Sequence, residues 1–142
     1  MVYFSRMGYA KKIALEEADR TGAAIYEIKS TEKTDGTGGF WWCGRYGMHR
    51  WAMPIEPISV DLSQYEHVTI CSPIWVFSLS APVRAFCQSS CGKVKEADLI
   101  TVHFKKSSYP NALSETESLL GVQMTGYRSV MCRFGEMRTP RP

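Results

Sequence analysis

Apolar and polar positions follow two different periods along this chain. Residues 1–5, MVYFS, form a short apolar run of the kind found in buried strands. From residue 9 to 21 the spacing changes. Ala10, Ile13, Ala14 and Ala18 recur at helical spacing on one face, and Gly22 follows as a helix stop. The run AAIYEIK, residues 23–29, predicts a second strand, and VTICSP, residues 68–73, a third that ends at Pro73. A helix then begins behind Ser80 as cap, tolerates Pro82 in its first turn, turns Val83, Phe86 and Cys87 inward and closes at Gly92. ADLITVHF, residues 97–104, predicts a fourth strand, NALSETESLLG a short helix ending at Gly121, and residues 122–134 a last strand or strand pair with no strong helix after it. Between the second and third strands lies a stretch of about 30–59 without clear periodicity, whose Gly38, Gly39, Gly44 and Gly47 argue against a regular helix.

The alternation of strand and helix predicts a parallel sheet with helices on both faces. In such sheets ligands bind beyond the carboxyl ends of the strands, where the strand order reverses. Three segments follow strands and are candidates for that place: residues 5–10, 72–79 and 103–110. In the first, Ser5 ends the strand and Gly8 permits a tight turn. Backbone N–H groups and the helix dipole there favour an anion, Ser5 adds a hydroxyl, and Arg6 or Lys11 adds positive charge. The plain alternative is that the segment only turns the chain. In the second, Trp75 offers a flat indole to a flat ring system, or it covers the sheet edge.

Composition narrows the class. The chain has 142 residues, enough for a single domain with one core, and its 44% apolar and 22% charged residues suit a globular fold. No apolar run reaches the roughly 20 residues of a membrane helix. The start MVYFSR lacks a basic segment followed by a long apolar one, so the expectation is a cytoplasmic protein with no membrane partner. Seventeen basic against fourteen acidic residues leave a net charge of +3, too little to imply nucleic acid. The tail with Arg133, Arg138 and Arg141 reads as a solvated basic end. The five cysteines, Cys43, Cys71, Cys87, Cys91 and Cys132, are odd in number and have no CxxC pair, so they read as free thiols of a reduced compartment. No metal cluster and no Ser-His-Asp set is evident.

Several segments together resemble the flavodoxin family, in particular its small bacterial flavodoxin-like branch. They are VYFSRMGYAKKIA, IYEIK, DLSQYEHVTICSPIWVFSLSAPVRAF and GKVKEADLITVHF, in order from Val2 to about Phe104. The SPIW stretch followed by APVRAF is the most specific part. The resemblance implies a three-layer α/β/α sandwich with a five-stranded parallel sheet, as a single domain over residues 1–142 carrying the aromatic, Gly-rich segment as an insert. It also implies noncovalently bound FMN at the strand ends.

In that family the first loop reads approximately S-x-T-G-x-T and wraps the FMN phosphate. Here Ser5 and Gly8 match, Arg6 and Tyr9 fill the variable places, and Met7 and Ala10 replace the two threonines. A hydrogen bond to a charged group is worth about 1.5–3 kcal/mol, so losing two weakens FMN by about two to four orders of magnitude. FMN is thus expected to be weakly bound or lost. The second loop maps onto Ser72, Pro73, Ile74 and Trp75, with Trp75 against the isoalloxazine, and the third onto Phe104 and Lys105. Lys105 and Lys106 stand where small residues are more usual, and positive charge there would raise a flavin potential. The implied activity is electron transfer, as a carrier or a small flavin reductase, with a redox partner protein or NAD(P)H. The alternative is a flavodoxin-like domain without FMN that binds proteins through its aromatic segment. For that segment, GGFWWCGRYGMHRW, two readings stand: it folds over the sheet edge and buries its rings, or it lies over the ligand site or forms a contact surface.

Overall fold

The computed structural model describes residues 1–133 and 136–138. Its parallel strands are β1 (Val2–Tyr3), β2 (Tyr26–Glu27), β3 (His67–Trp75), β5 (Glu96–His103) and β6 (Met124–Arg133), and they line up as β2-β1-β3-β5-β6. Two short antiparallel strands extend this frame. β4 (Ser78–Leu79) folds back on β3, and β7 (Glu136–Arg138) folds back on β6. The helices are α1 (Tyr9–Thr21), α2 (Gly36–His49), α3 (Ala81–Ser89) and α4 (Pro110–Leu120). The arrangement is a flavodoxin-like α/β sandwich with five parallel strands, as the sequence pattern and the resemblance predict. Of the basic tail, Arg141 lies outside the described residues, as do the side chains of Arg133 and Arg138.

Strand periodicity sorts the core into two halves. Val2 and Phe4 join one apolar cluster with Ile70, Leu99, Val83, Phe86, Ala112 and Leu120, while Tyr3 joins another with Cys71, Ile100, Val102 and Val130. Successive residues of a strand face opposite sides, so α1 covers the second half and α2, α3 and α4 supply the first. The small face of α1 is the one its spacing predicts: Ala10, Ile13, Ala14 and Ala18 are all buried. Gly22 in the left-handed region ends the helix and donates its N–H to Ala18 O.

The structure corrects four expectations. The stretch at 30–59 is no irregular insert, because α2 occupies its centre as the crossover helix between β2 and β3. Glycine disfavours a helix by about 1 kcal/mol per residue, but two of these glycines are required by packing. A Cβ on Gly39 would fall 2.4 Å from the Thr34 carbonyl carbon, and one on Gly47 would fall 3.0–3.2 Å from Val76 and Trp75. Tertiary contact therefore overrides propensity. Pro73 does not end its strand, since β3 runs on to Trp75 with Pro73 in register opposite Val102. The 72–79 segment is mostly a hairpin rather than an open loop. α3 ends at Ser89 rather than closing at Gly92, so Cys91 lies beyond the helix that holds Cys87. All five cysteines are free, as expected. Burial holds the Cys71 and Cys87 thiols up at about 12, which leaves them protonated and inert.

The two kinds of glycine in α2 respond oppositely to a methyl group. Gly39→Ala is expected to destabilise by about 1–3 kcal/mol through overpacking. Gly38→Ala, with open space around its Cβ, is expected to stabilise by up to about 1 kcal/mol. Urea denaturation of both variants checks the pair, and equal signs would refute the packing account of α2.

Candidate functional site

The strand order reverses between β1 and β3, and a cavity of about 300 Å³ opens at their carboxyl ends. One end of it is polar. Gly8 takes φ 94°, a conformation glycine allows, and serves as N-cap of α1. Its N–H donates to Ser5 Oγ at 3.0 Å, so the Ser5 hydroxyl closes the turn. The first-turn N–H groups of α1 have no intrahelical partner and face outward from the helix start. Arg6 stands beside them, and its guanidinium is committed in part: Nε donates to Thr34 O at 2.6 Å and an Nη to Gly36 O at 3.0 Å. It also lies over the Phe40 ring, 5.6 Å from the centroid. Arg6 thus ties the first loop to the start of α2.

The other walls are apolar. The β3–β4 hairpin contributes Ile74, Trp75 and Val76, α2 contributes Phe40, Cys43 and Gly44, and β5 contributes Val102, His103 and the following Phe104. The hairpin turn has both Val76 and Phe77 at positive φ, 49° and 65°. That pair matches the twist a two-residue hairpin needs, yet for a β-branched residue the conformation is an outlier, with strain of about 1–3 kcal/mol per residue. Trp75 is buried, edge-on to Phe4 at 5.6 Å, and packs against Gly47. It is a wall of the cavity anchored in the core. The ring pair Tyr9–Phe104, also edge-on at 5.6 Å, joins the first loop to the third.

Of the residues named from sequence, Ser5, Arg6, Met7, Tyr9, Ala10, Pro73, Ile74, Trp75 and Phe104 line the cavity. Gly8 shapes the turn from behind. Ser72 is fully buried, and its hydroxyl bonds Ser80 Oγ and Pro73 O, linking the end of β3 to the start of α3. Lys105 is not part of the lining. Its Nζ sits 4.7 Å above the Phe77 ring, beside the hairpin turn. Sequence reasoning missed Phe40, Cys43 and Gly44, because α2 was read as irregular, and also Val102; Val76 and His103 fall within the candidate segments 72–79 and 103–110 but were not singled out. His103 already lay within the strand predicted over residues 97–104, at its carboxyl end.

His103 is the buried titratable group of the site. Its Nδ1 lies 2.7 Å from Lys105 O, a pure acceptor, so Nδ1 carries the proton. Nε2 then accepts from the Ser129 hydroxyl. Both nitrogens are satisfied in the neutral ring, and burial lowers its pKa below the usual 6.5. Burial also raises the Cys43 thiol, against the opposing pull of Arg6. No group of three or more metal-ligating side chains occurs among the described residues, and no helix among them is long and apolar enough to cross a membrane.

The site is thus a cavity with anion-binding character at one end and flat apolar walls at the other, on a flavodoxin-like sheet. Three solved structures share this architecture. A candidate flavoprotein from Bacteroides uniformis superposes with a TM-score of 0.79 at 20% identity, covering 94% of this chain and 90% of its own. A candidate flavoprotein from Bacteroides eggerthii gives 0.78 at 18% identity, covering 90% and 84%. A flavoprotein from Lactobacillus acidophilus, solved in complex with FMN, gives 0.70 at 17% identity, covering 90% and 89%. At these identities the likeness establishes the fold. No protein-family model matches the chain, and no curated protein matches it in sequence.

A histidine held neutral in the fold makes stability depend on pH with a definite sign. The unfolded chain takes up the proton near pH 6.5, the folded one only at lower pH. The contribution of His103 is therefore present above pH 6.5 and is lost as pH falls through its folded value. His103→Gln is expected to flatten the loss of unfolding free energy below pH 6.5 relative to the unaltered protein. Parallel urea titrations across that range check it, and identical pH slopes would exclude His103 as the source.

Proposed function

We propose that this protein binds FMN noncovalently in the cavity at the β1/β3 switch point and takes part in electron transfer, as a carrier or a small flavin reductase. The observation that carries this reading is the match of donor set to ligand. Unpaired N–H groups at the α1 start, with Ser5 and Arg6 beside them, suit a phosphate. Flat apolar walls from Tyr9, Trp75, Phe40 and Phe104 suit a planar ring system. The FMN complex of the Lactobacillus acidophilus protein, on the same fold, supports the same ligand. FMN when bound supplies the redox ring, and this chain's residues hold it, orient it and shield it from water. Met7 and Ala10 bring no hydroxyl, so the phosphate depends on backbone donors, and the affinity is expected to be lower than with a threonine-bearing loop. Five free thiols fit a reducing compartment such as the cytoplasm. Either NAD(P)H or a redox protein would supply the electrons.

A second reading has a specific observation behind it. Five rings or long apolar chains of α2 and its end are exposed, among them Trp41 at 71%, Met48 at 65% and Phe40 at 58%. Phe40, Trp41, Trp42 and Trp51 are therefore not buried over the sheet edge, while Tyr46 packs partly against the core. Arg45 lies over both Trp42 and Trp51 at 5.8 Å. Exposed Trp with Arg is the composition of interface hot spots. A domain that binds proteins through α2 without FMN is the alternative.

Titration with FMN and with riboflavin separates the readings. FMN is expected to be quenched on binding, to survive desalting as a yellow complex, and to bind at least about tenfold tighter than riboflavin through its phosphate. A colourless protein that quenches neither sinks the flavin reading. Equal affinities would remove the phosphate site alone. Addition of NAD(P)H to the complex then tells reductase from carrier. In a redox titration, Lys105→Ala is expected to lower the midpoint potential, with a larger drop at low salt. An unchanged potential would show that Lys105 does not act on the ring.

A further inference from the structure

Arg84 is the largest buried charged side chain among the described residues, at 2% exposure on α3. An arginine is almost never fully buried unless its donors are satisfied, and this one joins three separate elements. Its Nε donates to Glu115 Oε1 of α4 at 2.5 Å. One Nη donates to Trp51 O, just beyond α2, at 2.9 Å. The other Nη donates to Leu79 O at 3.2 Å and Ser78 Oγ at 3.3 Å, both on β4. Ser78 in turn donates its hydroxyl to the second Glu115 oxygen. A buried ion pair is weak support for stability, since well-packed apolar residues commonly replace one without loss. The value of this pair lies in what it fastens.

Two of these elements, β4 and the end of α2, adjoin walls of the cavity, although Trp51, Ser78 and Leu79 do not line it. β4 is the return arm of the hairpin that presents Trp75 and Val76, with Val76 and Phe77 both in the left-handed region. Trp51 is held to the end of α2 through its N–H to Tyr46 O at 3.0 Å. Those two walls also meet directly, where a Cβ on Gly47 would fall 3.0–3.2 Å from Trp75 and Val76, a tight contact. Strained turn residues persist only where their surroundings determine them. Here the surroundings are the Gly47 contact on one side and the Arg84 fork on the other.

We propose that Arg84, oriented by Glu115, is a positioning residue for the ligand cavity: its buried fork sets the spacing between α2 and the β3–β4 hairpin and holds the turn at Val76 and Phe77. This rests on the flavin reading only for its binding readout. Lysine keeps the charge and can still pair with Glu115, but a single ammonium lacks the planar fork that reaches Trp51, Ser78 and Leu79 together. Ser78→Ala removes one node of the network with little change in volume.

The experiment compares Arg84→Lys and Ser78→Ala with the unaltered protein by two measurements. Hydrogen exchange on the protein without added ligand is expected to rise about tenfold in a peptide covering residues 75–79 for Arg84→Lys. For Ser78→Ala the rise is about threefold, and β5 is unchanged in both. FMN titration is expected to show a dissociation constant weaker by about the same factors, with altered visible circular dichroism of the bound flavin. Exchange that rises equally in β5 and the hairpin marks a general loss of stability and overturns the proposal. So does a loosened hairpin with unchanged FMN affinity and dichroism. If Arg84→Lys does not fold, Ser78→Ala decides by the same criteria. If the unaltered protein binds no FMN, the proposed function fails, and hydrogen exchange alone then upholds or overturns the positioning role.

Discussion

β1 pairs in parallel with β2 on one side and with β3 on the other, and the rest of the site depends on that pairing. Val2 and Tyr3 face Tyr26 and Glu27 in one register and Ile70 and Cys71 in the other. Because the chain builds outward in both directions from this strand, its crossovers leave the sheet on opposite faces. The crevice between them opens at the carboxyl ends of β1 and β3. The strand is only two residues long by its ladder, yet Phe4 N still reaches Cys71 O and Ile28 N reaches Tyr3 O. Those bonds carry the chain straight to Ser5 and the α1 start. A slip of one residue would exchange Tyr3 with Val2 and Phe4 between the two core halves, so packing on both faces locks the register.

Given that frame, the cavity is assembled from parts held by different forces. Backbone geometry makes the polar end: Gly8 turns the chain and the helix start supplies its donors. Arg6 then joins the loop to α2 through two carbonyl oxygens, which fixes its donors while its charge stays unpaired by any carboxylate among the described residues. The opposite wall depends on close approach. Gly39 lets α2 settle against Thr34 at a distance no side chain permits, Gly47 lets it approach the hairpin more closely than a Cβ comfortably allows, and the fork of Arg84 ties β4 to the residue just beyond α2. The third wall is fixed by His103, whose two ring nitrogens tie β5 to β6 through Ser129 and to its own loop through Lys105. The apolar surface that does not fit inside, Trp41 and Met48 above all, is left on the outer face of α2.

Much of this was legible in the residues, and the failures have a common cause. The face of α1, the inward set of α3 and the three loops at the strand ends follow from periods of 3.6 and 2, which are local properties. The first loop could be placed from Ser5 and Gly8 alone. The misreading of α2 came from treating Gly38, Gly39, Gly44 and Gly47 as breakers. Two of them answer to atoms in Thr34, Trp75 and Val76, partners distant in sequence or brought near only by folding. The strand past Pro73 was missed for a related reason. Its continuation depends on pairing with β5, and a missing N–H is tolerated where the ladder does not call on it.

By itself, then, the sequence determined the order and type of most elements, the parallel sheet and the end of it where a ligand would sit. Hydrophobic periodicity and turn chemistry act over a few residues and can be read there. The tertiary structure alone decided that the aromatic segment is a helix, that Trp75 is anchored in the core and that Arg84 joins β4 to the residue just beyond α2. Each of those depends on how closely two distant stretches approach. That distance is a property of the packed whole, since a glycine reads the same in a loop and in a helix contact until its neighbour is in place.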